Sequence, residues 1–227
     1  MKLVCRYVFC ALAALAVQCL TAAEVRSAAA DSDACVENLE KRYGHMRDFK
    51  ARFEQETRHE AISTVEKAGG TVYFKKGGMM LWDYTTPEPQ QFILDGKNLW
   101  VYLPKDKQVM KNSYAALPSH IVAGLFEGSI DIRKTFTVSI THDSDNGRTA
   151  PVITLELVPR QYDPTVKRLT VWVDPGSWLI IKSRIEPEVG SSTVLQFFDH
   201  AVNRGMDDSI FRFVPPPGVE IFELPGR

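Results

Sequence analysis

Two periods of apolar residues run through this chain. Val36, Leu39, Tyr43 and Met46 recur at three- and four-residue intervals, a spacing that places them on one face of a helix. Asp31 or Ser32 can cap its start, and Gly44 can stop it. At Phe49 the period drops to two. Phe49, Ala51 and Phe53 alternate with Lys50, Arg52 and Glu54, the pattern of a half-buried strand. Strand patterns dominate from there. Residues 72–75 and 79–84 flank Gly77-Gly78, and 91–94 and 99–103 flank Asp95-Gly96. Further runs follow at 136–140, at 153–157 after Asn146-Gly147, at 169–173 and 179–185 around Asp174-Pro175-Gly176, at 193–202 and at 219–222. Roughly ten strands separated by turn signals predict a single antiparallel sheet that curls toward a barrel, mainly β with short helices.

Some of these strands are apolar on both faces. Leu99, Trp100, Val101, Tyr102 and Leu103 run without a polar break, as do Met79 to Trp82 and Phe92 to Leu94. One face can pack on a core; the other needs a cover. The stretch PSHIVAGLF at 118–126 carries Ile121, Val122, Leu125 and Phe126 at helical spacing. It is short for a structural helix and apolar for a loop. A curled sheet whose hollow takes an apolar ligand, with the two short helices as its cover, satisfies these patterns. A filled barrel core satisfies them too, and residue types alone do not choose. Met80, Trp82, Phe92 and Trp100 would suit a hollow, since methionine adapts its shape and aromatic rings bury large areas.

The N-terminus reads as an address. Lys2 and Arg6 precede an apolar run from Val8 to Leu20, followed by Thr21-Ala22-Ala23, the order of a secretory signal peptide with cleavage near Ala23. Residues 24–227 are then one mature domain, because no linker, repeat or low-complexity tract divides them. Cleavage removes Cys5, Cys10 and Cys19 and leaves Cys35, so no intrachain disulfide can form and the core must hold the fold. A lipid on Cys19 would need a small residue before it, and Gln18 is bulky and polar. The net charge of −1 becomes −3 without Lys2 and Arg6, and no basic block accompanies it, which argues against a nucleic-acid partner.

Catalytic patterns are missing. The five histidines show no metal-ligand spacing, one cysteine cannot build a zinc site, and neither a G-x-S-x-G elbow nor a P-loop occurs. Glu54 with Glu56 and Asp207 with Asp208 sit on polar stretches as solvated carboxylates. The expectation is a binding protein without cofactor, metal or enzyme activity.

The stretch GGTVYFKKGGMMLWDYTTPEPQQFILDGKNLWVYLPKDKQV, residues 69–109, resembles the outer-membrane lipoprotein carrier proteins, the LolA family. That family reads as a G-x-[ILV]-x-[FW]-x-[KR] strand, a strand ending in W-x-Y, a proline, then DG-x-x-[LVI]-W-x-Y. Here those are Gly70, Phe74, Lys76, Trp82, Tyr84, Pro87, Asp95, Gly96, Leu99, Trp100 and Tyr102. The resemblance extends to Phe49, Phe53 and Gln55, to VWVDP at 171–175 and to FRFVPPPGVEIF at 211–222.

It implies an incomplete antiparallel barrel with a helical lid over a hydrophobic cavity. It also implies a monomeric periplasmic chaperone that takes acylated lipoproteins from an inner-membrane ABC transporter to an outer-membrane acceptor. The implied cavity residues are Phe53, Met80, Trp82, Phe92, Leu94 and Trp100, and the lid residues are Ile121, Val122, Leu125 and Phe126. Loop length at Asp95-Gly96 decides whether Trp100 or Val101 points inward, and the sequence leaves that open. Lys76 matches the position where the family has an arginine that bonds the lid and holds the empty form shut. A half-barrel lipid-sensing regulator and an outer-membrane lipoprotein acceptor are the rival readings.

Overall fold

The computed structural model of the protein describes residues 31–113, 121–141 and 151–223, with the backbone alone at 121–123. The signal segment 1–23, residues 118–120 of the lid pattern and the Asn146-Gly147 turn lie outside the described residues. Helix α1 is described over 31–44. Six strands follow: β1 (Asp48–His59), β2 (Thr64–Lys75), β3 (Met79–Thr86), β4 (Gln90–Asp95), β5 (Asn98–Leu103) and β6 (Gln108–Ser113). Two short helices, α2 (Ile121–Glu127) and α3 (Ile132–Thr135), then lead into β7 (Phe136–Thr141) and β8 (Ile153–Pro159). The chain ends on β9 (Arg168–Asp174), β10 (Leu179–Glu186), β11 (Ser192–Val202) and β12 (Glu220–Glu223).

All twelve strands share one sheet, in the order β12-β6-β5-β4-β3-β2-β1-β11-β10-β9-β8-β7. Neighbours are antiparallel except β12, which pairs parallel with β6. The sheet curls without closing into a barrel. One strand, β6, has no counterpart among the runs read from the sequence, because pairing, not pattern, creates part of the sheet. The segment QVMKNS of β6 has no clear alternation, yet it pairs along its whole length with β5. The β1–β2 ladder likewise runs through polar sequence as far as His59 opposite Thr64.

Turn chemistry fixes the register. Gly77 and Gly78 adopt φ of +104° and +77° between β2 and β3, a backbone region that side chains disfavour. Asp95 accepts hydrogen bonds from the Lys97 and Asn98 amides at 2.9 and 2.7 Å. The last β4–β5 pair is therefore Leu94 with Leu99, which sets Phe92 against Val101 and Ile93 against Trp100.

The concave face holds the core. Helix α1 buries Val36, Leu39 and Tyr43, and Met46 just past its end joins them, in one cluster with Leu155, Leu157, Val171 and Ile180. Tyr43 Oη accepts from the Ile180 amide at 3.1 Å, tying α1 to β10. Arg133 of α3 bonds α1 through the Asp33 carbonyl at 2.6 Å and Glu40 at 3.3 Å. This part of the sheet is packed by the protein's own side chains.

The convex face of β3–β5 has a cover that the sequence pattern does not reveal. Past β11 the chain turns back, and the buried Asp48 carboxylate accepts from the Arg204 and Gly205 amides at 2.7 and 3.0 Å. Lys75 Nζ donates to the Met206 carbonyl at 2.6 Å. Met206, Phe211 and Phe213 then pack over Tyr73, Met79, Leu81, Ile93 and Trp100. The doubly apolar strands thus have one face under their own C-terminal segment and the other toward the hollow. Met206, Phe211 and Phe213 lie in irregular, proline-flanked sequence, so no period announces them.

Candidate functional site: a lidded apolar hollow

The hollow is built from rows of side chains across the concave face. Nearest α2, Phe49 of β1 lies opposite Phe74, Phe74 opposite Met80, and Met80 opposite Leu94. The next row is Ala51, Val72, Trp82 and Phe92, and the third is Phe53, Gly70, Tyr84 and Gln90. Gly70 is a requirement of close packing. A Cβ there would stand 2.0 Å from the Asp83 carbonyl oxygen and 2.8 Å from the Tyr84 Cα. That tight crossing brings Phe53 edge-on to both Trp82 and Tyr84, with ring centroids 4.8 and 4.9 Å apart. Edge-to-face pairs add about 0.5–1.5 kcal/mol each beyond the area they bury.

Helix α2 closes this floor. Phe126 meets Phe197 of β11 at 5.6 Å and Tyr43 of α1 at 6.1 Å, both edge-on, and Leu125 is fully buried. The void enclosed by Tyr43, Met46, Phe49, Val72, Phe74, Met80, Trp82, Phe126 and Phe197 measures only about 10 Å³. That is at the limit for a single water, and the lining is almost wholly apolar. The lid therefore rests on the floor. Beyond it the groove opens into a cleft of about 590 Å³ lined by Gln55, Thr57, Glu66, Ala68, Tyr84, Gln90 and Phe92 among others.

Five of the six expected cavity residues share the concave face: Phe53, Met80, Trp82, Phe92 and Leu94. Trp100 does not. The β4–β5 register turns it to the convex face, where its ring lies 5.6 Å from Phe213 and its Nε1 donates to Asp95 at 2.9 Å. Val101 takes the concave position opposite Phe92. Of the lid set, Phe126 lines the hollow and Leu125 is buried in the core cluster, while Ile121 and Val122 lie on α2 with side chains outside the described residues.

Lys76 stands at the junction of the covers. Its Nζ donates to the Gly44 carbonyl at the C-terminal end of α1, at 3.0 Å, a favoured place for a cation. Among the described residues its hydrogen bond goes to the end of α1. The two helices meet nearby: Gly128, just past α2 with φ +61°, lies so close that a Cβ would stand 2.7 Å from the Tyr43 carbonyl carbon. Sequence reasoning missed Tyr43 as lining, Phe197 as the partner of Phe126, and the whole of α3. Phe197 carried a signal in its strand pattern; the four-residue α3 carried none.

Burial pushes the Tyr84 hydroxyl up to about 12 and the Tyr43 hydroxyl upward as well, so both stay neutral hydrogen-bonding groups. Burial likewise raises the Cys35 thiol, with Asp31 adding to the effect, which makes it a weaker nucleophile. Among the described residues no three His, Cys, Asp or Glu side chains are gathered to hold a metal ion. No described helix is long and apolar enough to cross a membrane.

An open, curled antiparallel sheet with a short helix seated over an aromatic hollow defines the class: a half-barrel with a lidded apolar site. The family model of the outer membrane lipoprotein carrier protein LolA matches residues 44–214, and this chain belongs to that family. It is 30% identical over 179 residues to the outer-membrane lipoprotein carrier protein of Alcanivorax borkumensis, covering 78% of this chain and 82% of that one. With the carrier protein of Alkalilimnicola ehrlichii it shares 26% identity over 217 residues, 95% and 96% of the two chains. Among solved structures, an uncharacterized conserved protein from Thermus thermophilus superposes with a TM-score of 0.53 at 10% identity, covering 86% of this chain and 99% of that one. That last likeness is one of fold.

Proposed function

We propose that this protein is a periplasmic carrier that binds the acyl chains of lipoproteins released by an inner-membrane ABC transporter and delivers them to an outer-membrane acceptor. On this reading residues 1–23 are a cleaved signal peptide and 24–227 form one carrier domain without catalytic activity. The observation that carries it is the apolar floor under α2, collapsed to about 10 Å³ where the lid sits yet continuous in sheet register with an open cleft. A permanently filled core needs no cleft at its end. Membership of the lipoprotein carrier family supports the same reading.

The physical logic is a two-state lid. Each acyl CH₂ taken out of water contributes about 0.8 kcal/mol, so a multi-chain lipid is held firmly once the lid lifts. Release needs a competing state that is also stable, and the closed lid supplies it by covering the same aromatic floor with Leu125 and Phe126. Lys76 helps to fix that closed state through the end of α1.

The test is purification from the periplasm followed by mass spectrometry of whatever co-elutes. Acylated lipoproteins are expected with the wild-type protein, and its own N-terminus should be unmodified. A protein that elutes without acylated cargo, or that carries acyl groups on Cys19, contradicts the carrier reading.

A further inference from the structure

The concave groove changes character along its length. From Phe49 to Phe53 its rows are apolar and aromatic; from there outward they hold Gln90, Gln55, Thr57, Glu66 and Thr193. From Phe49 to Phe53 the apolar stretch covers four residue steps of β1, about 13 Å at the rise of a strand. That matches the depth of one hydrocarbon leaflet, about 15 Å.

At the change, the polar groups are organised. Tyr84 Oη donates to Gln55 Oε1 at 2.8 Å, Gln55 Nε2 donates to Thr57 Oγ1 at 3.1 Å, and Thr57 Oγ1 lies 3.5 Å from Thr193 Oγ1. Hydrogen bonds are thus donated outward from Tyr84 to Gln55 to Thr57, and the ladder ends in spare donors: the second amide N–H of Gln55 and one threonine hydroxyl. Such an end suits carbonyl acceptors. It does not suit a phosphate, because the nearby cation Lys67 is already paired with Glu56 at 2.8 Å and Glu66 adds negative charge at the rim.

We infer that the ladder Tyr84–Gln55–Thr57–Thr193 is the subsite for the ester and amide carbonyls at the head of an acylated cysteine. The cargo then lies with its chain ends under α2 and its peptide leaving through the open cleft. This rests on the carrier reading and adds a direction to it. The lid covers the apolar rows and leaves the polar ones open, so the protein part of the cargo never has to pass beneath it. Tyr84 joins the two zones: its ring packs on Phe53 and on Phe92, at 4.9 and 5.6 Å, while its hydroxyl starts the ladder.

Two synthetic triacylated lipopeptides test this on the wild-type protein, one with a photoreactive group beside the acylated cysteine and one with it at an acyl-chain end. The head probe is expected to label residues 84–90 or 66–68, and the tail probe Met80 or Phe126. The double variant Tyr84→Phe, Gln55→Leu is expected to bind the lipopeptide about tenfold more weakly, as the loss of one or two net hydrogen bonds implies, while binding a long-chain hydrocarbon probe within about twofold of wild type. Reversed labelling, or equal lipopeptide affinity in the double variant, overturns the orientation and leaves the carrier reading standing. Failure of both probes to bind the wild-type protein rejects the carrier reading itself.

Discussion

Lys76 illustrates how a single side chain carries less information in sequence than in space. Its position in a strand-to-turn motif marks it as a cation beside the lid, but its bond goes to the Gly44 carbonyl, the abutment against which the exit of α2 packs through Gly128. A lysine there provides one directed donor where an arginine would offer a planar fork. Replacing Lys76 with leucine removes that bond and frees the end of α1. Lys76→Leu is therefore expected to retain bound lipoprotein and to slow its transfer to acceptor vesicles, measured as the fraction of cargo moved in a fixed time. Transfer equal to wild type would remove Lys76 from the mechanism. Trp100 gives the complementary lesson. Residue type recommends it for a cavity, yet a carboxylate five residues earlier, Asp95, both fixes the loop and accepts its indole N–H.

At the scale of elements, the patterns with a clean period were legible. The α1 helix, the β1 alternation and the Gly77-Gly78 hairpin all follow from side-chain spacing and turn chemistry. What escaped were elements held by partners distant in sequence. The segment after β11 owes its path to Asp48, whose carboxyl lies some 156 residues from the Arg204 amide it receives. Burial alone would raise that carboxyl, but backbone amides of Arg204, Gly205 and Met206 outweigh it and hold it below the usual carboxylate range.

The sign of the pH effect follows. A depressed carboxyl contributes stability above its ordinary value near 4, and that contribution fades as pH falls through the depressed one. Asp48→Asn is expected to lose about 1–3 kcal/mol at pH 7, with the gap to wild type narrowing toward pH 3 in denaturant unfolding curves. A gap that stays constant with pH would show that the charge on Asp48 does not hold the C-terminal cover.

The whole molecule divides its sheet between two tasks. On the β7–β10 side the concave face is sealed by α1 and its clamp to α3; on the β1–β5 side α2 closes it together with Tyr43 and Met46, and it opens into a cleft. The convex face of β3–β5 is sealed by Met206, Phe211 and Phe213. An apolar run such as Leu99 to Leu103 announces that both faces need covering, but not which cover is permanent. That distinction depends on closure of the chain over long sequence separations, and only the assembled sheet displays it.

The four tryptophans make the division measurable, because Trp82 lies on the floor of the hollow while Trp100 lies under the C-terminal segment, Trp172 lies on the convex face beneath Lys182 and Arg184, and Trp178 packs on the core beside the β9–β10 turn, outside the lining of the hollow. A lipopeptide with brominated acyl chains quenches only the indoles that its chains touch. The account predicts that this ligand quenches wild-type fluorescence, that Trp82→Phe abolishes most of the effect, and that Trp100→Phe leaves it intact. Quenching that survives the loss of Trp82 and disappears with Trp100 would contradict it.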